Sequence, residues 1–261
     1  MTTIPELRVR EVTLRFGGLT ALDEVSFTVR PGSLHALIGP NGAGKSSCFN
    51  VISGVYRAGT GRVELGEQDI TLRGPHTLAG AGIGRSFQNT ALSARSTVLD
   101  NVLLGRHALT RGGFLSCGLR LPWTVRQERR HTARVREICD FLGLADRLHL
   151  PVAALPYGAA KRVDLARALA VEPSLLLLDE PAAGMNAMET AELAHTIQEV
   201  REELGISILL VEHDMGLVMG IADRITVLDF GRLIADGTPA EVRANPEVIR
   251  AYLGTSAEEN E

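Results

Sequence analysis

The segment GPNGAGKSS, from Gly39 to Ser47, fits the spacing G-x-x-x-x-G-K-[ST]. Gly39, Gly42 and Gly44 allow the backbone N–H groups of a loop that also contains Pro40, Asn41 and Ala43 to curl around phosphates. Lys45 then reaches the β- and γ-phosphates, the Ser46 hydroxyl is suited to Mg2+, and Ser47 continues into a helix-like run, SSCFNVIS. A Gly-rich turn can arise by chance, but Lys45 and Lys161 are the only lysines among 27 Lys plus Arg, so a lysine at the required place is informative. The chemistry implied is nucleoside triphosphate binding.

Two further segments end in groups that phosphoryl transfer needs. SLLLLDEPAAG, Ser174 to Gly184, is an apolar run closed by two carboxylates: Asp179 would hold Mg2+ through water, and Glu180 is placed to polarise an attacking water. ILLVEHD, Ile208 to Asp214, delivers His213 at a strand end, where an imidazole can hydrogen-bond a γ-phosphate; a lone histidine also serves structure, and here the position favours function. Gln88 in SFQNT is either a ligand for Mg2+ or water or an ordinary polar loop residue. LPYGAAKRVDLARALA, residues 155–170, is a Pro-Tyr-Gly turn feeding a helix, suited to an anion through N–H groups and macrodipole, or serving only as a cap. GAGIG, Gly80 to Gly84, has part of a dinucleotide-binding pattern but no apolar strand before it, and is expected to be a loop.

The elements that must position these groups follow from apolar patterning. Leu34 to Ile38, Leu175 to Leu178, Ile206 to Val211 and Ile225 to Leu228 are runs of the kind buried on both faces of a parallel sheet, and helical stretches separate them. Leu7 to Leu14, Val25 to Val29 and Arg62 to Leu65 alternate as half-exposed antiparallel strands do. From Val98 to Leu150 no comparable strand is evident, so a helical piece is expected inside the α/β core. With 261 residues, 45% hydrophobic and 22% charged, the chain can bury one large core. No signal peptide or run of about 18 apolar residues is evident, so a membrane role requires a partner chain. A net charge of −4 argues against a nucleic-acid partner. Cys48, Cys117 and Cys139 make neither a disulfide framework nor a metal-ligand pair, which suits a reducing compartment.

In their order, GPNGAGKSS, Gln88, LPYGAAKR, LLLLDEP and the His213 loop resemble the nucleotide-binding subunit of an ABC transporter, and the resemblance covers nearly the whole chain. It implies an α/β P-loop NTPase fold, a RecA-like core with an antiparallel β subdomain and a nested helical subdomain. The expected division is a single domain over 1–261, with core 1–88 and 165–254, helical subdomain 89–164 and an acidic tail, 255–261. Two such chains, alike or different, would close head to tail with ATP between one P-loop and the other's signature turn. Phe16 falls where the family stacks an aromatic ring on adenine, although a plain core role is the alternative. Leu155, Tyr157 and Gly158 fall in the signature turn, usually LSGGQ; Pro156 replaces its Ser, Tyr157 its first Gly and Ala159 its Gln, while Asn186 stands where the D-loop has Asp.

FGGLTALDEVSF, TVLDNVLLGRH, EPAAGMN, VEHDMGLVMGIADRITVLDFGRLIADGTPAEV and NPEVIRAYLG narrow the resemblance to importers of branched-chain or other hydrophobic amino acids. That implies permease subunits, a solute-binding protein acting through them, and a place on the cytoplasmic side of the cell membrane. In that setting Glu180 is the general base, His213 senses the γ-phosphate, and Ser46, Gln88 and Asp179 serve Mg2+. Arginines between Arg106 and Arg136, set against Glu128, would face the permease or anionic headgroups, or else form a solvated helix face. Importers of urea or short amides look similar. A soluble ABC-type ATPase would ordinarily need a tandem second domain or long inserted helices, and a P-loop kinase would leave the signature turn and His213 unexplained.

Overall fold

The computed structural model describes residues 4–86, 92–109 and 122–258. Two sheets form the frame. An antiparallel sheet of order β2-β1-β4-β5 is made by β1 (Leu7–Phe16), β2 (Leu19–Val29), β4 (Thr60–Leu65) and β5 (Gln68–Asp69). The second, of order β10-β9-β3-β8-β7-β6, contains β3 (Leu34–Ile38), β6 (Ile83–Arg85), β7 (Leu175–Asp179), β8 (Ser207–Val211), β9 (Arg224–Asp229) and β10 (Arg232–Gly237). Its strands run parallel except β10, which returns antiparallel to β9.

Period-two geometry explains why its central strands are apolar throughout. On β7, Leu176 and Leu178 enter one core while Leu175 and Leu177 enter the other; on β8, Ile208 and Leu210 part in the same way from Leu209 and Val211. One core lies toward the antiparallel sheet and takes in Cys48, Phe49, Val51 and Ile52 of α1 (Lys45–Ile52). The other is covered by helices, among them α5 (Tyr157–Leu169) and α6 (Ala187–Leu204). Cys48 and Cys139 are buried free thiols.

After α2 (Pro75–Leu78), the chain does not remain a loop as expected. Ile83 to Arg85 form β6, parallel to the edge of β7. Three residues containing Gly84 carry no readable periodicity, yet the glycine is what permits the strand: a Cβ there would collide with Ala168 O and lie 3.1 Å from Pro173 Cγ. Between β6 and β7 the described elements are helical: α3 (Val98–Gly105), closed at its start by a Thr97–Asp100 capping box, α4 (Pro122–Phe141) and α5. Val98, Val102, Val135, Ile138 and Cys139 pack with Val163 and Ala166 of α5. The helix α5 runs unbroken through positions 164 and 165, the expected edge of the helical piece. Beyond β8 follow α7 (Met215–Ile221), the β9–β10 hairpin, α8 (Pro239–Ala244) and α9 (Pro246–Glu258). No helix among the described residues is long and apolar enough to cross a membrane.

Candidate functional site

The parallel strands β3, β6, β7 and β8 all present their carboxyl ends to one edge of the sheet, where an open α/β sheet binds its ligand. After β3 the chain turns through Gly39 to Gly44 into α1. Gly44 takes φ +97, and a Cβ on it would stand 2.7 Å from Ala21 O, so the position excludes side chains. Lys45 is only 9% exposed. Its ammonium curls back into the loop and donates to Gly39 O at 2.7 Å and Pro40 O at 2.9 Å. Burial lowers its pKa and the charge of Glu180 opposes that shift, which places the two groups within electrostatic reach. A cation inside a curled loop at a helix N-terminus is an arrangement suited to cradling phosphate.

The loop opens onto a cleft of about 390 Å3 lined by Phe16, Ala21, Gly42 to Ser47, Phe230 and others. Phe16 ends β1, is 46% exposed, and meets Tyr56 edge-on with centroids 5.2 Å apart. Its exposed ring stands at the rim of this cleft rather than in the core.

At the end of β7, buried Asp179 pairs with Val211 in the ladder, and Glu180 follows with φ +47, a left-handed conformation costly for a residue with a Cβ. Its backbone N–H donates to Val211 O at 2.8 Å, fixing the strained turn against β8. Arg85, at the end of β6, brings its guanidinium to 3.5 Å from Asp179 Oδ2 and 3.0 Å from Asn50 Oδ1, bonds Ser53 Oγ, and lies 4.8 Å from the centroid of the Phe49 ring. Burial raises the Asp179 pKa and Arg85 pulls it back. Among the described residues, no group of three or more His, Cys, Asp or Glu side chains could hold a metal. The oxygens of Ser46 and Asp179 are hard donors of the kind that bind Mg2+. Gln88 lies outside the described residues.

Glu212, at the end of β8, is fully buried, and its carboxylate is shared. Oε1 accepts from Ala182 N at 2.8 Å; Oε2 accepts from His213 N at 2.9 Å and Asp214 N at 3.3 Å. The His213 imidazole remains exposed, with Nδ1 3.6 Å from Glu212 Oε2. Tyr157 extends the same chain of contacts: its hydroxyl donates to Ala183 O at 2.7 Å. Thus the turn after β7 is tied on one side to the His213 loop and on the other to α5.

Tyr157 and Gly158 are the first residues of α5 rather than a preceding turn, and Pro156 is its N-cap without a side-chain cap. Lys161, 8% exposed, holds its ammonium 5.6 Å from the Tyr157 ring. Pro156 and Gly158 line a separate cleft of about 170 Å3 with Met185 and Glu189, while Leu155 precedes them with its N–H bonded to Val152 O. Asn186 caps α6, accepting from Met188 N and Glu189 N at 3.0 Å, and Glu189 completes the box. Asparagine is among the preferred N-caps, which explains its fit there.

The structure therefore brings Phe16 and Gly42 to Ser47 around one cleft, with Gly39, Pro40 and Asn41 in the loop leading to it, sets Asp179, Glu180 and His213 on adjacent strand ends, and puts the signature residues elsewhere. Arg85, Glu212 and Phe230 were not foreseen; only the last had a signal, an aromatic residue in a DFG turn. Arg106 overturns part of the expected basic surface. It is buried and donates to Ala170 O and Glu172 Oε1, because a carboxylate 66 positions away in sequence folds beside it. Arg134 likewise pairs with Glu137 and Glu172. Arg111 and Arg120 lie outside the described residues.

Residues 22–183 match the ABC transporter family, and residues 232–258 match the branched-chain amino acid ATP-binding cassette transporter family. The chain is 41% identical over 250 residues to the high-affinity branched-chain amino acid transport ATP-binding protein LivG of Salmonella typhimurium, covering 96% of this chain and 98% of that one. With BraF of Pseudomonas aeruginosa, a protein of the same description, identity is 38% over the same shares of the two chains. A crystal structure of an ATP-binding cassette of an ABC transporter in its ADP conformation superposes with a TM-score of 0.84 at 31% identity, over 96% of this chain and 99% of that one. The cradle, the strand-end carboxylates and these likenesses agree: the chain belongs to the ABC transporter family, as one of its ATP-binding, ATP-hydrolysing cassettes.

Proposed function

We propose that this cassette powers an importer of branched-chain or other hydrophobic amino acids. The observation that carries the substrate class is the match of the C-terminal segment, residues 232–258, to the branched-chain family, supported by the names of LivG and BraF. Its partners are then a second ATP-binding subunit, alike or different, and membrane permease subunits that receive solute from a binding protein. The cassette sits at the cytoplasmic face of the membrane through those permeases. The helical segment 89–164 is the part we assign to permease contact.

Lys45 and the amides of Gly42 to Ser46 hold the phosphates of ATP, and Phe16 stacks on adenine. Ser46 and Asp179, with Gln88, would hold Mg2+, which neutralises charge on the phosphate oxygens. Glu180 orients the attacking water and accepts its proton, and His213 bonds the γ-phosphate. Tyr157 and Gly158 complete the partner's site through the uncapped N–H groups at the start of α5, with Leu155 leading into that turn; Pro156 contributes neither hydroxyl nor N–H, so the grip there is by backbone and dipole. The test is Glu180→Gln in the assembled transporter. ATP binding persists and turnover falls by about 10²–10⁴, the usual worth of a general base; full ATPase activity refutes the assignment. Leucine-stimulated ATPase activity and uptake by the reconstituted transporter check the solute.

A further inference from the structure

The hairpin joining β9 to β10 turns through two residues, Phe230 and Gly231, with φ +43 and +78. Positive φ at both positions marks a type I′ turn, whose first place favours Asn, Asp or Gly. A phenylalanine there is held in a strained conformation. Nor does burial compensate, for its ring is 82% exposed, the most exposed of the large apolar side chains among the described residues.

The turn is nevertheless fixed. Gly231 N donates to Ala43 O of the phosphate loop at 3.0 Å, Asp23 N donates to Gly231 O at 2.9 Å, and Arg232 Nη2 pairs with Asp23 Oδ2 at 2.7 Å. Those bonds hold the Phe230 ring on the wall of the 390 Å3 cleft that also contains Phe16 and Lys45. The cleft thus has a cation and curled amides for phosphate, and two aromatic rings brought by different sheets.

We infer that Phe230 is a second aromatic contact for the adenine base of ATP, acting with Phe16. This rests on the nucleotide-binding reading of the cleft. A flat π system is what two exposed rings recognise without hydrogen-bond readout, so the contact strengthens affinity with little discrimination among bases.

Binding to the purified chain is measured by calorimetry with ATP and with inorganic tripolyphosphate, which lacks base and sugar. Phe230→Asn suits the turn, so its melting temperature should equal or exceed that of the parent. Expected are about tenfold weaker ATP binding, in the range given by single base-stacking contacts, and unchanged tripolyphosphate binding. Unchanged ATP affinity overturns the proposal; equal weakening of both ligands overturns it as well. A parent chain that binds neither ligand overturns the nucleotide reading itself, and is distinguished by the parent measurement alone.

Discussion

Glu212→Gln separates the two sides of a buried carboxylate. Oε1 accepts one N–H, from Ala182, and Oε2 accepts two, from His213 and Asp214. A glutamine has one acceptor oxygen and one NH2 group. Its best placement keeps the oxygen on the His213 side and turns the NH2 toward Ala182 N, donor against donor. The variant therefore loses one bond to a charged acceptor, about 1.5–3 kcal/mol, and recovers part of the cost of burying a charge. A net loss of about 1–2 kcal/mol lowers Tm by about 2–8 °C in a chain of this length. The phosphate loop makes none of these bonds, so ATP affinity measured by calorimetry holds. Turnover falls, because Ala183 N, which closes the Glu180 turn at 3.1 Å, follows directly on the released residue. Glu212→Ala leaves three N–H groups without their acceptor, the buried one of Ala182 among them, and melts lower still. A Glu212→Gln protein with parental Tm, or one less stable than Glu212→Ala, refutes the reasoning.

Other outcomes follow from single contacts. Tyr157→Phe removes the donor to Ala183 O from a half-exposed ring, so Tm changes by less than about 4 °C while ATPase activity of the assembled pair drops; parental activity shows that the bond does not matter. His35 is buried beneath Phe27 with Nε2 2.7 Å from Thr226 Oγ1, and burial lowers its pKa to about 3. Because the unfolded chain protonates at the ordinary value, this group's share of stability is full above about pH 6.5 and is lost toward pH 3, at about 1.4 kcal/mol per unit. Urea midpoints at pH 7, 6 and 5 test it, with His35→Asn expected to flatten the decline.

The strands β3, β7, β8 and β9 were legible because each is buried on both faces and so apolar at nearly every position. β6 was not, since three residues around a glycine carry no period. The phosphate loop could be read because its geometry is local, set by glycines and a lysine a few positions apart. Glu212 and Arg85 each tie to a partner far away in sequence, Ala182 at 30 positions and Asp179 at 94, which no local pattern shows. Arg106 shows the converse: a charge that looked like surface in a basic stretch became internal when Glu172 folded against it. Phe230 stood in plain sight, but its exposure depends on the hairpin that carries it.

Both lysines of the chain are shielded in the fold, Lys45 within the phosphate loop and Lys161 behind Tyr157. A protease that cuts only after lysine therefore meets an uncuttable protein until one of two places opens. Cleavage near position 45 reports loosening of the loop, and cleavage near position 161 reports unwinding of α5. The order in which the two sets of fragments emerge on gentle warming is a record of which half of the machine lets go first.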